Sequence, residues 1–243
     1  MQLPYTIYPL GDAAATISLG NIIDEHLNDK IIAMQQWMLL QSFHGQRDII
    51  VAYSSLTVLY DPVLIKQQYQ PASSIFEWVA AKLTEAFEKS TVQPQTPQQV
   101  IRIPVCYAPV FAPDLATMAD EKNLSAQELV NLHCAHVYRV FTIGFLPGFS
   151  YMATLPAALV KPRKPKPVQV MAGSVGIAGA QTGIYPLDSP GGWHIIGRTP
   201  LPQFNARGEQ LVRLRVGDRV QFYAVSEEEF YVLAAQEQGH ITQ

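Results

Sequence analysis

Residues 173–200 read GSVGIAGAQTGIYPLDSPGGWHIIGRTP, and this stretch decides which class of fold the chain can adopt. Glycine is frequent there and charge is scarce, because Asp188 is the only ionised side chain between Lys166 and Arg198. A surface linker would carry more charge, whereas β-branched and aromatic residues divided by glycine and proline are typical of short strands joined by tight turns. The stretch therefore predicts a compact sheet or barrel that holds core, interface or site residues.

The composition describes a folded protein with few charges. The length of 243 residues suits two modest domains better than one and is sufficient to bury a real core. The chain is 48% hydrophobic and 15% charged. The net charge of −3 offers no electrostatic basis for binding nucleic acid. No signal peptide pattern opens the chain, and no apolar run is long enough to span a bilayer. We therefore expect a cytoplasmic protein with no membrane partner.

The two cysteines favour reduced, structural thiols. Cys106 falls on a predicted strand and Cys134 on a predicted helix. Two cysteines at this spacing form neither a disulfide framework nor a recognisable zinc motif.

The first hundred residues predict an α+β domain. One or two strands are expected around a turn at Gly11 and Asp12, and a helix follows whose apolar face carries Leu27, Ile31, Met34 and Met38. Further elements are predicted as strands at 48–53 and 56–60, a helix at 71–89 with a Ser74–Glu77 capping box, and a strand at 100–106. This order is typical of a ferredoxin-like layer.

The stretch TVQPQTPQQ, residues 91–99, predicts an extended connection between two domains. We place the first domain at residues 1–95 and the second at 96–243. The strand at 100–106 fits either as the last strand of the first sheet or as the first strand of the second domain.

The second domain is predicted to be mainly β after two short helices. The helices are expected at 112–122 and 125–136, the second with a capping box formed by Ser125 and Glu128. From residue 137 to 225 the helical period disappears, and short strands alternate with glycine and proline. This pattern favours a small β-barrel.

The chain closely resembles the family of B-type 5-oxoprolinase subunits, which includes proteins called allophanate hydrolase subunit 1 and KipI-type kinase inhibitors. The resemblance is carried by IRIPVCY, FTIGFLPGFSYM, AGSVGIAGAQTGIYPLDSPGGW, IGRTPL and GDRVQF, which together span most of residues 101–223. It implies an α+β N-terminal domain followed by a cyclophilin-like C-terminal domain. A cyclophilin-like fold does not by itself imply prolyl isomerase activity.

The resemblance implies one subunit of an ATP-dependent 5-oxoprolinase, which opens 5-oxoproline to glutamate and is inactive as an isolated chain. The implied partners are a larger, homologous cyclophilin-like subunit of the KipA type and a subunit of the LamB/YcsF type. ATP would be used by the assembled complex, because this chain contains neither GxxxxGK[ST] nor GxGxxG. No biotin-acceptor pattern is evident.

Two other functions are compatible with the same resemblance. The first is an inhibitor that binds the helical dimerisation domain of a sensor histidine kinase, as KipI-type members do. The second is a component of an allophanate or urea-type carboxyltransferase or hydrolase. No residue pattern separates the kinase inhibitor from the enzyme subunit, since both need an exposed surface for a protein partner.

The predicted lining of a pocket shared with the larger subunit comprises Ser174, Gln181, Tyr185, Gly192, Trp193 and Arg198. Arg198 is the clearest candidate for an anion contact, because its planar guanidinium pairs with a carboxylate or phosphate through two hydrogen bonds. Trp193 would form one wall of the pocket, or else pack in the core. Individual catalytic roles stay open.

Other residue combinations favour structural interpretations. Ser174, Asp188 and His194 have the residue types of a hydrolase triad, but Ala172 stands where a nucleophile elbow needs glycine. The glycines around Ser174 either present N–H groups to an anion or serve as turns, and turns are favoured.

The histidines and the basic segment also favour structural roles. His133 and His136 share a helix face but lack a third ligand, so we expect no metal. The basic segment KPRKPKP, residues 161–167, predicts an extended, solvated arm. The family resemblance implies that this arm flanks a site.

Overall fold

The structure is a computed structural model that describes residues 3–92, 99–206 and 211–241. The chain divides into two compact units, Met1–Thr96 and Pro97–Gln243. The predicted domain boundary, between residues 95 and 96, lies outside the described residues. Within those residues, no helix combines the length and the apolar composition that crossing a bilayer would require.

The first unit is an antiparallel sheet covered by helices. Its elements are β1 Thr6–Pro9, β2 Ala14–Ser18, α1 Glu25–Leu40, β3 Gln46–Val51, β4 Ser55–Tyr60, α2 Pro62–Tyr69 and α3 Ile75–Lys89. The strand order is β1-β2-β4-β3, with every pair antiparallel. Helices α1 and α3 contact each other and the sheet, so their apolar faces form the core of this unit.

The predicted helix stripe is confirmed. Leu27, Ile31, Met34 and Met38 are all buried, and Asp24 caps α1 by accepting a hydrogen bond from the Leu27 N–H at 2.9 Å. The Ser74–Glu77 capping box also forms, and it starts α3 at Ile75 rather than at the predicted residue 71.

The ferredoxin-like order is not confirmed, because the strand at 100–106 does not join the first sheet. The edge position beside β2 is held by β1, which folds back through a turn where Gly11 has a φ of 62°. Helix α2 was not predicted from the sequence. Asp61 caps it by accepting hydrogen bonds from the N–H groups of Val63 and Leu64. Pro62 occupies its first turn, where the N–H that proline lacks would have no partner within the helix.

The second unit contains a closed barrel, as the alternation of short strands and turns predicted. Its barrel strands are β5 Ile101–Cys106, β6 Val137–Ile143, β7 Ser150–Ala153, β9 Ser174–Ala178, β10 Gln181–Ile184, β12 His194–Arg198 and β13 Arg219–Val225. The order around the barrel is β10-β7-β6-β13-β5-β12-β9. Strand β5 pairs with β13 in parallel, so residues 101–106 open the second unit.

Smaller elements complete this unit. They are α4 Leu115–Glu121, α5 Ala126–Ala135, β8 Val168–Val170, β11 Ser189–Gly191 and α6 Glu227–Ile241, and β8 pairs with β11 outside the barrel. The predicted capping box of Ser125 and Glu128 begins α5. The fold class is therefore mixed α/β with a closed barrel, and the cyclophilin-like assignment stays a prediction.

Helix α6 was also missed by the sequence analysis, although its start carries a capping signal. The Ser226 hydroxyl accepts from the Glu229 N–H at 3.1 Å, and the Glu229 carboxylate accepts from the Ser226 N–H at 2.7 Å. Phe230 then packs against Phe111 with ring centroids 4.4 Å apart. The hydrophobic turn at residues 108–112 thus supplies the surface on which α6 lies.

Candidate functional site

A cavity of about 540 Å³ lies beside the barrel in the second unit. Its walls come from four segments of the chain and are lined by Phe145, Phe149, Tyr151, Pro162, Arg163, Pro167, Ala178, Gly179, Gln181, Tyr185, Pro190, Gly191, Gly192 and Trp193. The size suits a small organic molecule, and the lining combines aromatic rings with glycine backbone and one arginine.

One wall of the cavity is a cluster of four aromatic rings. Phe149 lies at the centre, with centroid distances of 4.6 Å to Tyr151, 5.0 Å to Tyr185 and 5.4 Å to Trp193. Tyr151 and Trp193 also meet edge to face at 5.8 Å. Perpendicular and tilted ring pairs interlock well, so this wall is rigid and apolar.

The phenol of Tyr185 is fixed inside this wall. Its side chain lies so close to Gly191 that a methyl group there would overlap the ring, with Cζ 2.7 Å away. Burial raises the pKa of Tyr185, and the opposing hydrogen bond that its oxygen accepts from the Trp193 backbone N–H is a smaller influence. Burial also raises the pKa of Tyr151. Both phenols therefore stay protonated at neutral pH and keep an O–H for donation.

The basic segment 161–167 also borders the cavity, through Pro162, Arg163 and Pro167, and is held by backbone contacts. The Lys164 N–H donates to the Gly192 carbonyl at 2.8 Å, and Lys161 pairs with Gly179 as an isolated bridge. His194 Nε2 donates to the Pro162 carbonyl at 2.9 Å. The predicted extended arm is therefore a fixed edge of the cavity.

Two ion pairs hold the same segment. Lys161 contacts the Glu121 carboxylate, and Lys164 Nζ lies 2.6 Å from Asp114 Oδ2. The same Asp114 oxygen accepts from the Ile195 N–H at 2.6 Å. Asp114 thereby joins the basic segment to β12, next to Trp193.

The structure brings together Gln181, Tyr185, Gly192 and Trp193, which all line the cavity. It does not bring Ser174 or Arg198 to this cavity. Arg198 is four residues further along the chain than His194 and stands opposite Ser174 in the β9–β12 ladder. Four strand residues cover roughly 13 Å, which removes Arg198 from the aromatic wall.

Arg198 lines a second cavity of about 510 Å³, together with residues of α6. Its Nε donates to the Ala172 carbonyl at 2.7 Å, and its guanidinium lies 5.9 Å from the centre of the Phe111 ring. The arginine predicted for the pocket therefore belongs to a different surface of the same unit.

The glycine-rich turn around Ser174 has a structural role. The Gly173 N–H donates to the Tyr185 carbonyl at 2.7 Å and the Ser174 N–H to the Met171 carbonyl at 3.1 Å, so neither is directed at an anion. An added Cβ at Gly173 would overlap the Thr199 carbonyl, and its φ of 83° also favours glycine. The turn interpretation of these glycines is thus supported by their contacts.

Ser174, Asp188 and His194 do not form a hydrolase triad. Ser174 and His194 stand three register positions apart on β9 and β12, a separation of roughly 10 Å along the strands. Asp188 Oδ1 instead accepts from the Ala172 N–H at 2.7 Å.

His133 is fully buried, and each of its ring nitrogens faces a hydroxyl. Its Nδ1 lies 2.8 Å from the Tyr107 hydroxyl and its Nε2 3.0 Å from the Thr182 hydroxyl. His136 is exposed and packs its ring against Tyr138, with the two centroids 4.9 Å apart. The spacing of three residues predicted that both histidines lie on one helix face. In the structure α5 ends at Ala135, so His136 lies outside the helix.

Sequence reasoning missed several lining residues. Phe149 and Tyr151 stand within the phrase FTIGFLPGFSYM, which carries the family resemblance, and Arg163 stands in the basic segment. The proline-flanked arginine beside a glycine-rich stretch was an available signal. Arg163 and Gly192 are 29 residues apart in the chain, so no local sequence pattern reveals that they lie next to each other.

Comparisons with known proteins identify the class of this chain. The family model of the carboxyltransferase domain, subdomain C and D, matches residues 5–214, and the chain belongs to this family. More narrowly, it is 38% identical over 233 residues to the B-type 5-oxoprolinase subunit of Bacillus subtilis, covering 95% of this chain and 97% of that relative. It is 35% identical over 194 residues to the B-type 5-oxoprolinase subunit of Haemophilus influenzae, covering 77% and 85% of the two chains. The resemblance inferred from the sequence motifs is confirmed.

Solved structures agree with this placement. TTHA0988 is 32% identical with a TM-score of 0.75, and the match covers 88% of this chain but only 40% of TTHA0988. The urea amidolyase of K. lactis is 17% identical with a TM-score of 0.76, covering 98% of this chain and 16% of that one. At that identity the second match shows a shared fold alone.

Proposed function

We propose that this chain is the B-type subunit of an ATP-dependent 5-oxoprolinase that hydrolyses 5-oxoproline to L-glutamate. The observation that carries the proposal is its 38% identity to a B-type 5-oxoprolinase subunit across nearly the full length of both chains. We further propose two partner subunits, one larger and homologous to this chain and one of the LamB/YcsF type. We place the complex in the cytoplasm, with the cavity near Trp193 as this chain's part of a shared pocket.

The cavity has the properties that a small lactam needs. The flat faces of Tyr151 and Trp193 suit the ring of 5-oxoproline, and the protonated phenol of Tyr185 suits a carbonyl oxygen as a donor. Gln181 adds an amide at the same wall. In this arrangement the residues of this chain bind and orient the substrate and limit access of water to it.

ATP enters the proposal as a reactant of the complex. An unactivated lactam is hydrolysed slowly, and phosphorylation of its amide oxygen by ATP would make the carbonyl carbon a better electrophile. This sequence contains neither of the common glycine-rich phosphate-binding patterns, and the glycine turn at Gly173 and Ser174 uses its N–H groups internally. We therefore assign the nucleotide to another subunit and expect the isolated chain to have no turnover.

The proposal is tested by ATP-dependent release of glutamate from 5-oxoproline. The chain is assayed alone, with both partner subunits, and with each partner omitted in turn. Activity that requires all three subunits supports the proposal. A well-formed complex that releases no glutamate contradicts it.

The same complex can be offered urea-derived amides, because a urea amidolyase of Lachancea kluyveri is 27% identical to this chain over 235 residues. ATP-dependent hydrolysis of such an amide in place of 5-oxoproline would keep the enzyme class and change the substrate. Inhibition of a sensor histidine kinase by the isolated chain, with no amide hydrolysis by the complex, would favour the regulatory alternative.

A further inference from the structure

The cations of the basic segment differ in what surrounds them. Lys161 and Lys164 are both held by carboxylates, from Glu121 and Asp114 respectively. Arg163 stands between them on the cavity side, and none of the carboxylates in the described residues forms an ion pair with it. The two lysine pairs therefore fix the position of the segment and leave the arginine charge available to the cavity.

The backbone at Gly192 lets Arg163 reach into the cavity. A Cβ at Gly192 would lie 3.3 Å from Arg163 Nη2 and 3.4 Å from its Nε, so the guanidinium rests close to the backbone at a glycine. The Lys164 N–H, which donates to the Gly192 carbonyl, holds these two segments together. The position of Arg163 thus follows from contacts on both sides of it.

The charge of Arg163 acts on the aromatic wall. It opposes the effect of burial on the pKa of both Tyr151 and Tyr185, which means that the guanidinium is close enough to favour negative charge at each phenol oxygen. An anion placed between the rings and the guanidinium would experience the same field at shorter range. The cavity therefore has an apolar, ring-binding wall and a cationic side.

We propose that Arg163 binds the carboxylate of the molecule in this cavity, so that the site selects small cyclic carboxylates over neutral cyclic amides. The inference rests on the proposed function, because 5-oxoproline is a lactam ring that carries one carboxylate. The guanidinium matches a carboxylate through two parallel hydrogen bonds, and a lysine at this position would provide only a point charge. Arg163 is a binding residue in this assignment and takes no part in bond breaking.

The test measures binding without turnover. Equilibrium dialysis of the assembled complex without ATP is carried out with labelled 5-oxoproline, and with 2-pyrrolidinone, the same ring without the carboxylate, as a competitor. We expect the wild-type complex to prefer 5-oxoproline at least about 10-fold. Arg163→Gln should weaken 5-oxoproline binding by about the same factor and leave 2-pyrrolidinone binding unchanged, and Arg163→Lys should recover part of the loss.

Lys166→Gln is the matched control, because Lys166 is an exposed cation of the same segment that does not line the cavity. Its affinity should equal that of the wild type. The inference is overturned if the wild-type complex does not bind 5-oxoproline, or if Arg163→Gln binds it within 2-fold of wild type. It is also overturned if Arg163→Gln weakens the binding of 5-oxoproline and of 2-pyrrolidinone by the same factor. Selective binding in a complex that does not release glutamate would support the inference while contradicting the proposed 5-oxoprolinase activity.

Discussion

The hydroxyl of Tyr107 donates a hydrogen bond to Nδ1 of His133 across 2.8 Å, and this contact helps to fix which nitrogen of the buried imidazole carries the proton. On the other side of the ring, the Thr182 hydroxyl donates to the Gly176 carbonyl at 3.1 Å. Its oxygen therefore accepts from His133 Nε2, 3.0 Å away. His133 is thus neutral with its proton on Nε2, and it connects α5 to β10, the strand that carries Gln181.

His133 makes the stability of the second unit depend on pH. Burial lowers its pKa from 6.5 to about 3, with a smaller contribution from the charge of His136. Between these two values the unfolded chain binds a proton that the folded chain does not, so stability is present above pH 6.5 and is lost as the pH falls toward 3. We expect a loss of about 2 kcal/mol in the free energy of unfolding between pH 7.5 and pH 5.

The control variant is His133→Gln, whose amide can donate and accept but does not titrate. Trp193 is the only tryptophan of the second unit, so its fluorescence in a Trp37→Phe, Trp78→Phe background follows the barrel. Denaturant titrations at both pH values should show the loss in wild type and a clearly smaller one in His133→Gln. Equal losses would mean that other groups cause the pH dependence.

Gly191 sets the position of the Tyr185 phenol. A methyl group at residue 191 would overlap that ring, so Gly191→Ala should displace Tyr185 into the cavity and cost about 1–3 kcal/mol in unfolding free energy. Binding of 5-oxoproline to the complex should fall at least about 10-fold, because the displaced ring would occupy part of the cavity. A 10-fold loss corresponds to roughly 1.4 kcal/mol of binding free energy. Gly144→Ala is the control, since nothing lies within 4 Å of an added Cβ there. Unchanged binding by Gly191→Ala would show that the Tyr185 wall does not touch the ligand.

The Asp114–Lys164 pair should matter for both stability and binding. Asp114→Asn keeps one acceptor oxygen but removes the charge that faces Lys164 Nζ at 2.6 Å, in a pair whose side chains are 22% and 18% exposed. We expect a loss of about 1–3 kcal/mol in unfolding free energy and a several-fold loss of 5-oxoproline affinity, because the Arg163 segment is held less firmly. Asp120→Asn, on the exposed side of α4, should change neither quantity. A stable Asp114→Asn protein with full affinity would refute this positioning role.

The ring of Phe230 packs helix α6 against Phe111. Phe230 is 6% exposed and packs on Phe111, whereas the adjacent Tyr231 is 60% exposed. Phe230→Ala should lower the unfolding free energy by about 3–5 kcal/mol. Tyr231→Ala should change it far less, by about 0.5 kcal/mol. Thermal or denaturant unfolding of both variants tests the difference, and equal effects would exclude the helix position described above.

Local sequence patterns identified the elements whose signals lie within a few residues. The capping boxes at Ser74 and Ser125 form as expected, because a serine and a glutamate three residues later satisfy each other's backbone groups wherever the helix packs. The same signal is present at Ser226 and Glu229, where it begins α6. The strand at 101–106 was recognised, but its partner was not, since pairing with β13 joins residues more than a hundred positions apart.

The sequence by itself determined that the chain has an α+β part and a glycine-rich barrel, and which family it belongs to, because periodicity, turn residues and motifs are local properties. Tertiary structure alone decided which polar groups meet. Arg198 was chosen for its chemistry, yet the register of β9 and β12 carries it away from Trp193, whereas two distant carboxylates position Arg163 at the cavity. The residue type determines which interactions a side chain can make. Which partners lie near it depends on long-range pairing that only the folded chain establishes.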